Sequence, residues 1–294
     1  METACADTDY KQPVFSLEFN IYGTGAEIRL NDIIIYRHKS QGKVLSQKPI
    51  PESIIDGENI LTVSSFPLKK NNYEYLQGAY IEAVISVREK NSSLNDSQII
   101  LQLKLNPLNI EGKLLENTLS EYGDKEAIIV VHNEKQIVAE RRTNIKSPFP
   151  RWAWQDGQVI ENTTENLNSL FEVYKETWNA LDSGDMDKIR ELYDPAAQEF
   201  AWAYHYQDKK HGHRIMNTGG LVNDNDWGLA DINLLINKRK YEIDIYANGR
   251  IAQIIELTKS KRSPIVYYNK NVKMLNIQKF GFYKNQQGEW IMIR

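Results

Sequence analysis

The apolar residues of this chain change their spacing part-way along the sequence, and that change constrains the fold more than any other feature. Between Val14 and about Lys146 apolar and polar residues alternate, as they do over residues 15–21, which is the period of half-buried strands. From Leu167 to Leu181 the apolar residues recur every three or four positions, which is the period of an amphipathic helix. The chain is therefore predicted to be α+β, with an all-β first domain and a second domain that opens with helices.

The first domain, residues 1–146, is predicted to be an antiparallel β-sandwich that follows a flexible start over residues 1–13. Further strand candidates lie at residues 59–64, 79–87, 98–105, 127–131 and 136–141. No helical period separates them, and many short strands without intervening helices favour two packed antiparallel sheets.

A segment rich in proline and tryptophan interrupts both patterns, and it predicts an ordered linker over residues 147–161. Pro148 and Pro150 stiffen the chain there. Trp152 and Trp154 each carry a large apolar surface that favours burial. We expect the two indoles to pack between the domains; the alternative is an exposed aromatic recognition surface.

The second domain, residues 162–294, is predicted to begin with two helices. Gly184 ends the first helix, Asp185 caps the second, and Pro195 ends the second. Residues 196–206 fit either a third helix or a strand, because their aromatic residues alternate.

Strands return from Trp227 onward. Residues 241–246 and 251–257 are predicted to form a hairpin around an Asn-Gly pair, which favours a type I′ turn. A second predicted hairpin pairs residues 272–283 with residues 289–293.

Two local patterns resemble known families. The turn Gly57-Glu58-Asn59 launches a β-branched run, and it resembles jelly-roll accessory domains of the carbohydrate-binding-module type. In those domains such a turn is structural, so the resemblance implies a sandwich and not sugar binding.

The second domain resembles the NTF2-like superfamily. The resemblance is carried by two segments: residues 178–189 with Leu192-Tyr193, and the ending 282–290, which includes the Gly288-Glu289-Trp290 hairpin. It implies a curved antiparallel sheet wrapped around helices, with a cone-shaped cavity. The superfamily includes isomerases, dehydratases and hydrolases, and also non-catalytic binding or dimerisation domains, so the fold alone does not decide activity.

Composition excludes several classes of partner. The chain is 41% hydrophobic and 26% charged, with a net charge of −3 and both signs mixed along it. A globular protein of this balance lacks the concentrated basic face that nucleic acid requires, so no nucleic-acid partner is predicted. The single cysteine, Cys5, excludes an internal disulfide and a multi-cysteine metal site. No apolar run approaches the ~18 residues that span a bilayer.

The beginning of the sequence suggests a lipid anchor. Thr3-Ala4-Cys5 resembles the last three positions of a bacterial lipoprotein cleavage box, although Glu2 stands where such a box usually has leucine. One hypothesis is that Cys5 carries a lipid and that the protein is periplasmic, anchored to the outer membrane. The alternative is an ordinary thiol at a native start and a cytoplasmic protein. Any membrane contact is predicted only through Cys5.

Asp244 and His205 are the candidate acid–base residues if the resemblance extends to catalysis. Asp244 lies between two isoleucines on the opposite face of its strand, and His205 lies within an aromatic run, so a structural role is the competing interpretation for each. His211-Gly212-His213 has no third ligand at a recognised interval, and neighbouring lysines would repel a cation. No metal and no cofactor are predicted.

Aromatic residues are the stronger functional signal. Tyrosine and tryptophan anchor protein interfaces, and several of them fall in predicted loops or linkers. The predicted binding residues are Trp152, Trp154, Tyr204, Trp227, Tyr267 and Tyr268. We expect a non-catalytic binding protein of the bacterial cell envelope, most concretely an immunity-type lipoprotein that neutralises a secreted toxin or lipase. The alternatives are an NTF2-like enzyme acting on a small apolar ligand and a glycan-binding envelope protein.

Overall fold

A computed structural model of the chain describes residues 10–108, 128–131, 136–258 and 261–293. In these residues the fold is mixed α+β, with four antiparallel sheets and four α-helices, which confirms the predicted class. The chain divides into two compact units, Met1–Arg151 and Trp152–Arg294. None of the helices described is long and apolar enough to cross a membrane.

The described part of the first unit contains nine strands. They are β1 Pro13–Tyr22, β2 Gly25–Leu30, β3 Ile33–His38, β4 Val44–Pro49, β5 Gly57–Phe66, β6 Tyr80–Glu89, β7 Gln98–Leu105, β8 Ile128–Val131 and β9 Ile137–Ile145.

These strands form two antiparallel sheets, in the orders β4-β1-β6-β7 and β3-β2-β5-β9-β8. Phe15, Leu17, Phe19 and Ile21 of β1 are buried, whereas the residues between them are wholly or partly exposed. Because successive side chains of a strand point to opposite faces, this pattern confirms the predicted period. The five further strand candidates overlap β5, β6, β7, β8 and β9. Strand β4 was not predicted, because its sequence lacks alternating apolar residues.

Two buried asparagines hold the turn that precedes β5. Asn59 Nδ2 donates to the carbonyl oxygens of Ile55 and Gly57 at 2.7 and 3.0 Å, and Asn59 Oδ1 accepts from Ile55 N at 3.0 Å. Asn31 Nδ2 donates to Asn59 Oδ1 at 2.9 Å, and Asn31 Oδ1 accepts from Ile60 N at 2.9 Å. The Gly-x-Asn turn is therefore a structural device in this chain.

The described part of the second unit contains four helices and seven strands. They are α1 Thr164–Ser183, α2 Met186–Ala203, α3 Lys209–Met216, β10 Trp227–Leu229, α4 Ile232–Lys238, β11 Tyr241–Tyr246, β12 Ile251–Glu256, β13 Val266–Asn269, β14 Leu275–Ile277, β15 Phe282–Lys284 and β16 Trp290–Met292. The strands form two antiparallel sheets, β10-β13-β14 and β11-β12-β15-β16.

Helix α2 is longer than the sequence predicts. It continues through Pro195 to Ala203, although a proline inside a helix removes a hydrogen bond and disfavours the helix by ~3 kcal/mol. Burial offsets this penalty, because Ala196, Ala197 and Ala201 are fully buried on its far half. Residues 196–203 are thus helical, and the strand alternative is wrong.

Helix α3 contains the paired histidines His211 and His213. Asp208 caps it by accepting a hydrogen bond from Lys210 N at 2.8 Å. Gly212 lets it lie directly against α2, since a Cβ at that position would fall 1.7 Å from Ala197 O. Gly212 is therefore a helix-packing residue.

The hairpin of β11 and β12 confirms its prediction. Asn248 and Gly249 have φ values of 54° and 84°, the positive values that a type I′ turn requires. The second predicted hairpin is wrong in extent, since only β15 pairs with β16 and β14 pairs with β13. The chain leaves strand geometry between β14 and β15, where Phe280 enters the core.

Candidate functional site

Aromatic rings fill the centre of the second unit. Tyr174 lies 5.3 Å from Phe282, and Tyr193 lies 5.8 Å from Phe280, between ring centroids. Tyr174 Oη accepts a hydrogen bond from Ile254 N at 3.2 Å and donates one to the carbonyl oxygen of Phe280 at 3.3 Å. Burial raises the pKa of Tyr174 far above its ordinary value. This hydroxyl is therefore a neutral structural group.

The two candidate catalytic residues lie on different elements. Asp244 of β11 faces Gln253 of β12, whose Nε2 donates to Asp244 Oδ2 at 2.8 Å. His205 follows α2 in the left-handed conformation, with φ of 61°, and its backbone N–H donates to Trp202 O at 2.9 Å. Neither residue lines the two cavities described below.

His213 links two helices. Its Nε2 lies 2.8 Å from Asp194 Oδ1 on α2, and its Nδ1 lies 3.1 Å from Thr218 Oγ1. Burial alone would raise the pKa of Asp194, but hydrogen bonds from Lys209 and His213 bring it below its ordinary value. Among the described residues no three histidine, cysteine, aspartate or glutamate side chains are placed to hold a metal ion.

The predicted binding residues differ in burial: some are buried, Tyr268 is exposed, and Tyr204 and Trp227 are partly buried. Trp152 and Trp154 are 1% and 4% exposed, so they do not form an exposed aromatic surface. Tyr204 ends α2, and its ring stacks on Phe200 one helical turn earlier. The predicted lipid site, Cys5, lies outside the described residues.

The sheet β10-β13-β14 brings the remaining three candidates together. Trp227 begins β10, where strands were expected to return, while Tyr267 and Tyr268 are consecutive residues of β13, so the predicted loop positions of the two tyrosines are wrong. Tyr267 is the antiparallel partner of Asn276 in β14, and Tyr268 is the partner of Leu275 in the same strand. Consecutive strand residues face opposite sides of a sheet. Tyr267 is accordingly buried, and Tyr268 is 44% exposed.

The hairpin of β13 and β14 carries exposed apolar side chains that together we call the hairpin patch. It consists of Tyr268, Val272, Met274 and Leu275, which are each between 44% and 56% exposed. The Tyr268 ring covers Gly228 of the neighbouring strand, where a Cβ would fall 2.6 Å from the ring. Sequence reasoning found only Tyr268, because single aliphatic residues in a polar turn give no periodic signal.

Hydrogen bonds hold the turn of the hairpin patch in one conformation. Asn269 Oδ1 accepts from Asn271 N at 2.9 Å and from Val272 N at 3.0 Å. Asp226 anchors the same turn from the preceding strand region, since its Oδ1 accepts from Asn271 Nδ2 at 2.8 Å and its carbonyl accepts from Lys270 N at 2.7 Å. The exposed apolar side chains therefore stand on an ordered turn.

The other face of the sheet lines a pocket of about 220 Å³. Tyr267 and Tyr193 contribute rings to it, and Asn276 and Gln278 contribute amides that are bonded to each other through Gln278 Nε2 and Asn276 Oδ1 at 2.6 Å. Tyr267 Oη is buried and has no hydrogen-bond partner among the described residues. Burial, with a smaller contribution from Asp182, raises the pKa of Tyr267 to about 12, so the hydroxyl keeps its proton.

A second cavity, of about 420 Å³, lies on the outward face of the β4-β1-β6-β7 sheet in the first unit. Its polar lining is supplied by Glu18, Asn20, Gln47, Glu82 and Gln102. Gln102 Nε2 donates to Glu82 Oε1 at 2.7 Å. Tyr80 Oη donates to Asn20 Oδ1 at 2.9 Å. This cavity could not be predicted from the alternation of polar residues, because a solvated sheet face has the same alternation.

Comparisons of the chain with models of protein families, with curated proteins and with solved structures found no match. Its function is therefore inferred from the geometry of its own residues.

Proposed function

We propose that the chain is a non-catalytic binding protein and that it binds another protein through the hairpin patch. The observation that carries this proposal is the group of four large apolar side chains, each about half exposed, on one short hairpin. Monomeric proteins rarely expose large contiguous apolar patches, and such patches often mark sites of protein binding. Covering a half-exposed side chain of this size contributes about 1 kcal/mol, so the four together supply about 4 kcal/mol, or three orders of magnitude in affinity.

The ordered turn makes that surface effective. Binding free energy is reduced when loops must be fixed on association, by roughly 0.5–1.5 kcal/mol for each side chain that loses its freedom. Asn269 and Asp226 already fix the turn through the hydrogen bonds described above. Lys270 and Lys273 are exposed beside the apolar residues and give the patch a polar rim, as protein interfaces commonly have.

The more concrete form of the proposal is an immunity-type protein of the bacterial envelope that occludes a secreted toxin or lipase. Occlusion needs a binding surface and no catalytic group, and the exposed apolar side chains of the hairpin patch support this form of the proposal. The periplasmic location and the lipid on Cys5 belong to this proposal and are motivated by Thr3-Ala4-Cys5.

We also propose a β-sandwich for the first unit and an NTF2-like domain for the second. The sandwich is supported by two antiparallel sheets that each bury one face, and by Arg141 of β9, which donates to the carbonyl of Gln102 in the other sheet. The NTF2-like assignment is supported by α1 and α2 preceding antiparallel strands, and by the Gly288-Glu289-Trp290 ending.

The test is the affinity of the chain for the secreted proteins encoded beside its gene, measured by calorimetry with purified components. Leu275→Asp places a charge in the hairpin patch and should weaken binding at least a hundredfold. Leu234→Asp is the matched control, since Leu234 is a leucine of similar exposure in the same unit. If none of these secreted proteins binds, or if both variants lose affinity equally, the proposal is wrong.

The cavity of the first unit favours glycan binding as a second candidate function. Carboxylates and amides side by side are groups that hydrogen-bond to sugar hydroxyls, and Tyr22 and Tyr80 pair across β1 and β6 beside them, with ring centroids 6.1 Å apart. Titration with purified peptidoglycan fragments tests it. Glu18→Ala should abolish binding, whereas Glu58→Ala, on the other sheet, should leave it intact. Absence of binding by the unmodified chain would exclude this candidate.

A further inference from the structure

The hydroxyl of Tyr267 is in an unusual state for a buried polar group. The residue is 4% exposed, and its Oη has no hydrogen-bond partner among the described residues. A buried hydroxyl without a partner destabilises a protein by about 1–3 kcal/mol, and such groups are rare in native structures. Tyr267 also lines the 220 Å³ pocket, so the missing partner is to be sought there.

The pocket walls define the chemistry of its occupant. Leu181, Met216 and Leu221 supply apolar walls, and the lining includes no aspartate, glutamate, lysine, arginine or histidine. An anionic ligand would be buried there without a counter-charge and near the Asp182 carboxylate, which is strongly unfavourable. Asn276 and Gln278 use one amide oxygen and one amide NH₂ on each other, which leaves the NH₂ of Asn276 and the oxygen of Gln278 as further polar groups of the wall.

Size restricts the occupant further. A volume of about 220 Å³ corresponds to roughly seven molecules of liquid water at ~30 Å³ each. That volume suits a compact organic molecule of on the order of ten non-hydrogen atoms, smaller than the ligands of typical drug-sized pockets.

We propose that this pocket binds a small neutral ligand with an apolar body and a carbonyl or amide group, and that the carbonyl oxygen accepts a hydrogen bond from Tyr267 Oη. The apolar body lies against Leu181, Met216 and Leu221, and the amides of Asn276 and Gln278 bond to the polar end. This site goes beyond protein binding by the hairpin patch, because Tyr267 and Tyr268 face opposite sides of β13.

Benzamide is the probe that tests the proposal, with toluene as the probe that lacks the polar group. Dissociation constants for both are measured on the full chain by ligand-detected NMR. Tyr267→Phe removes only the hydroxyl. It should weaken the binding of benzamide by about three- to tenfold, which is the effect of one hydrogen bond, and leave the affinity for toluene unchanged. Tyr268→Phe is the matched control on the opposite face and should change neither affinity.

Leu221→Trp, which fills the pocket, should abolish the binding of both probes, and its thermal melting curve shows whether the variant is folded. Failure of benzamide to bind the unmodified chain at millimolar concentration overturns the proposal. Equal benzamide affinity for the unmodified chain and for Tyr267→Phe also overturns it, as expected if a trapped water satisfies the hydroxyl. These results leave the protein-binding proposal untouched, since its readout is Leu275→Asp.

Discussion

Replacing Asn59 by alanine tests whether the Gly-x-Asn turn is the structural element that its hydrogen bonds indicate. The Asn59 side chain is fully buried and takes part in four hydrogen bonds, with Ile55 N, Ile55 O, Gly57 O and Asn31 Nδ2. These use both amide hydrogens and both lone pairs of the amide oxygen. Alanine removes all four hydrogen bonds at once and leaves part-buried backbone groups of Ile55 and Gly57 without these partners.

The expected loss follows from that count. A typical protein hydrogen bond contributes about 1 kcal/mol, and a buried group left without a partner can lose more, so the variant should be destabilised by about 4 kcal/mol. This is a large part of the ~5–15 kcal/mol by which domains are usually stable. At ~1.4 kcal/mol per factor of ten, it corresponds to nearly a thousandfold loss of protection against hydrogen exchange.

The assay must resolve the two units, because all six tryptophans lie in the second one and their fluorescence does not report on the first. Hydrogen exchange followed by mass spectrometry provides that resolution through peptides from β5 and β9. Asn95→Ala is the control, since Asn95 is exposed in the same unit and should change stability by no more than ~0.5 kcal/mol. A loss of protection below fivefold for Asn59→Ala would refute the proposed role of the network.

Two further predictions concern stability. Gly212→Ala should destabilise the second unit by about 2 kcal/mol in urea unfolding, because a Cβ would meet Ala197 O at 1.7 Å and the strain exceeds the ~1 kcal/mol gain in helix propensity; an unchanged or raised midpoint would contradict the close helix packing. Burial opposes ionisation of Glu27, but Arg29 and Arg37 lower its pKa below the ordinary value. Its ionic contribution is therefore complete above the unfolded pKa of ~4.3 and disappears as pH falls through the lower folded pKa. The free energy of unfolding of Glu27→Gln should accordingly fall less between pH 7 and pH 3 than that of the unmodified chain. Parallel plots of unfolding free energy against pH for the two proteins would disprove this.

Local periodicity predicted the elements whose packing agrees with it, and it failed where packing opposes a local signal. The hairpin of β11 and β12 needed only alternation and an Asn-Gly turn, and both are local. Helix α2 passes a proline that locally predicts an end, because the buried alanines after Pro195 compensate. Glycine is common in loops, yet Gly212 lies inside α3, where its lack of a side chain allows close contact with Ala197 of α2, fifteen residues earlier in the sequence. Such information is absent from any short window of sequence.

The candidate site shows the same limit in functional terms. Aromatic content singled out Tyr267 and Tyr268, but it could not separate them, since adjacent residues in a loop have no fixed relation to each other. The pairing of Tyr267 with Asn276 and of Tyr268 with Leu275 supplies that relation, because it fixes a strand in which neighbours face opposite sides. One tyrosine then belongs to a buried pocket and the other to an exposed patch. If the sheet β10-β13-β14 serves both roles, Tyr267→Phe should weaken only small-ligand binding and Leu275→Asp should weaken only protein binding, and a variant that weakens both equally would contradict this division.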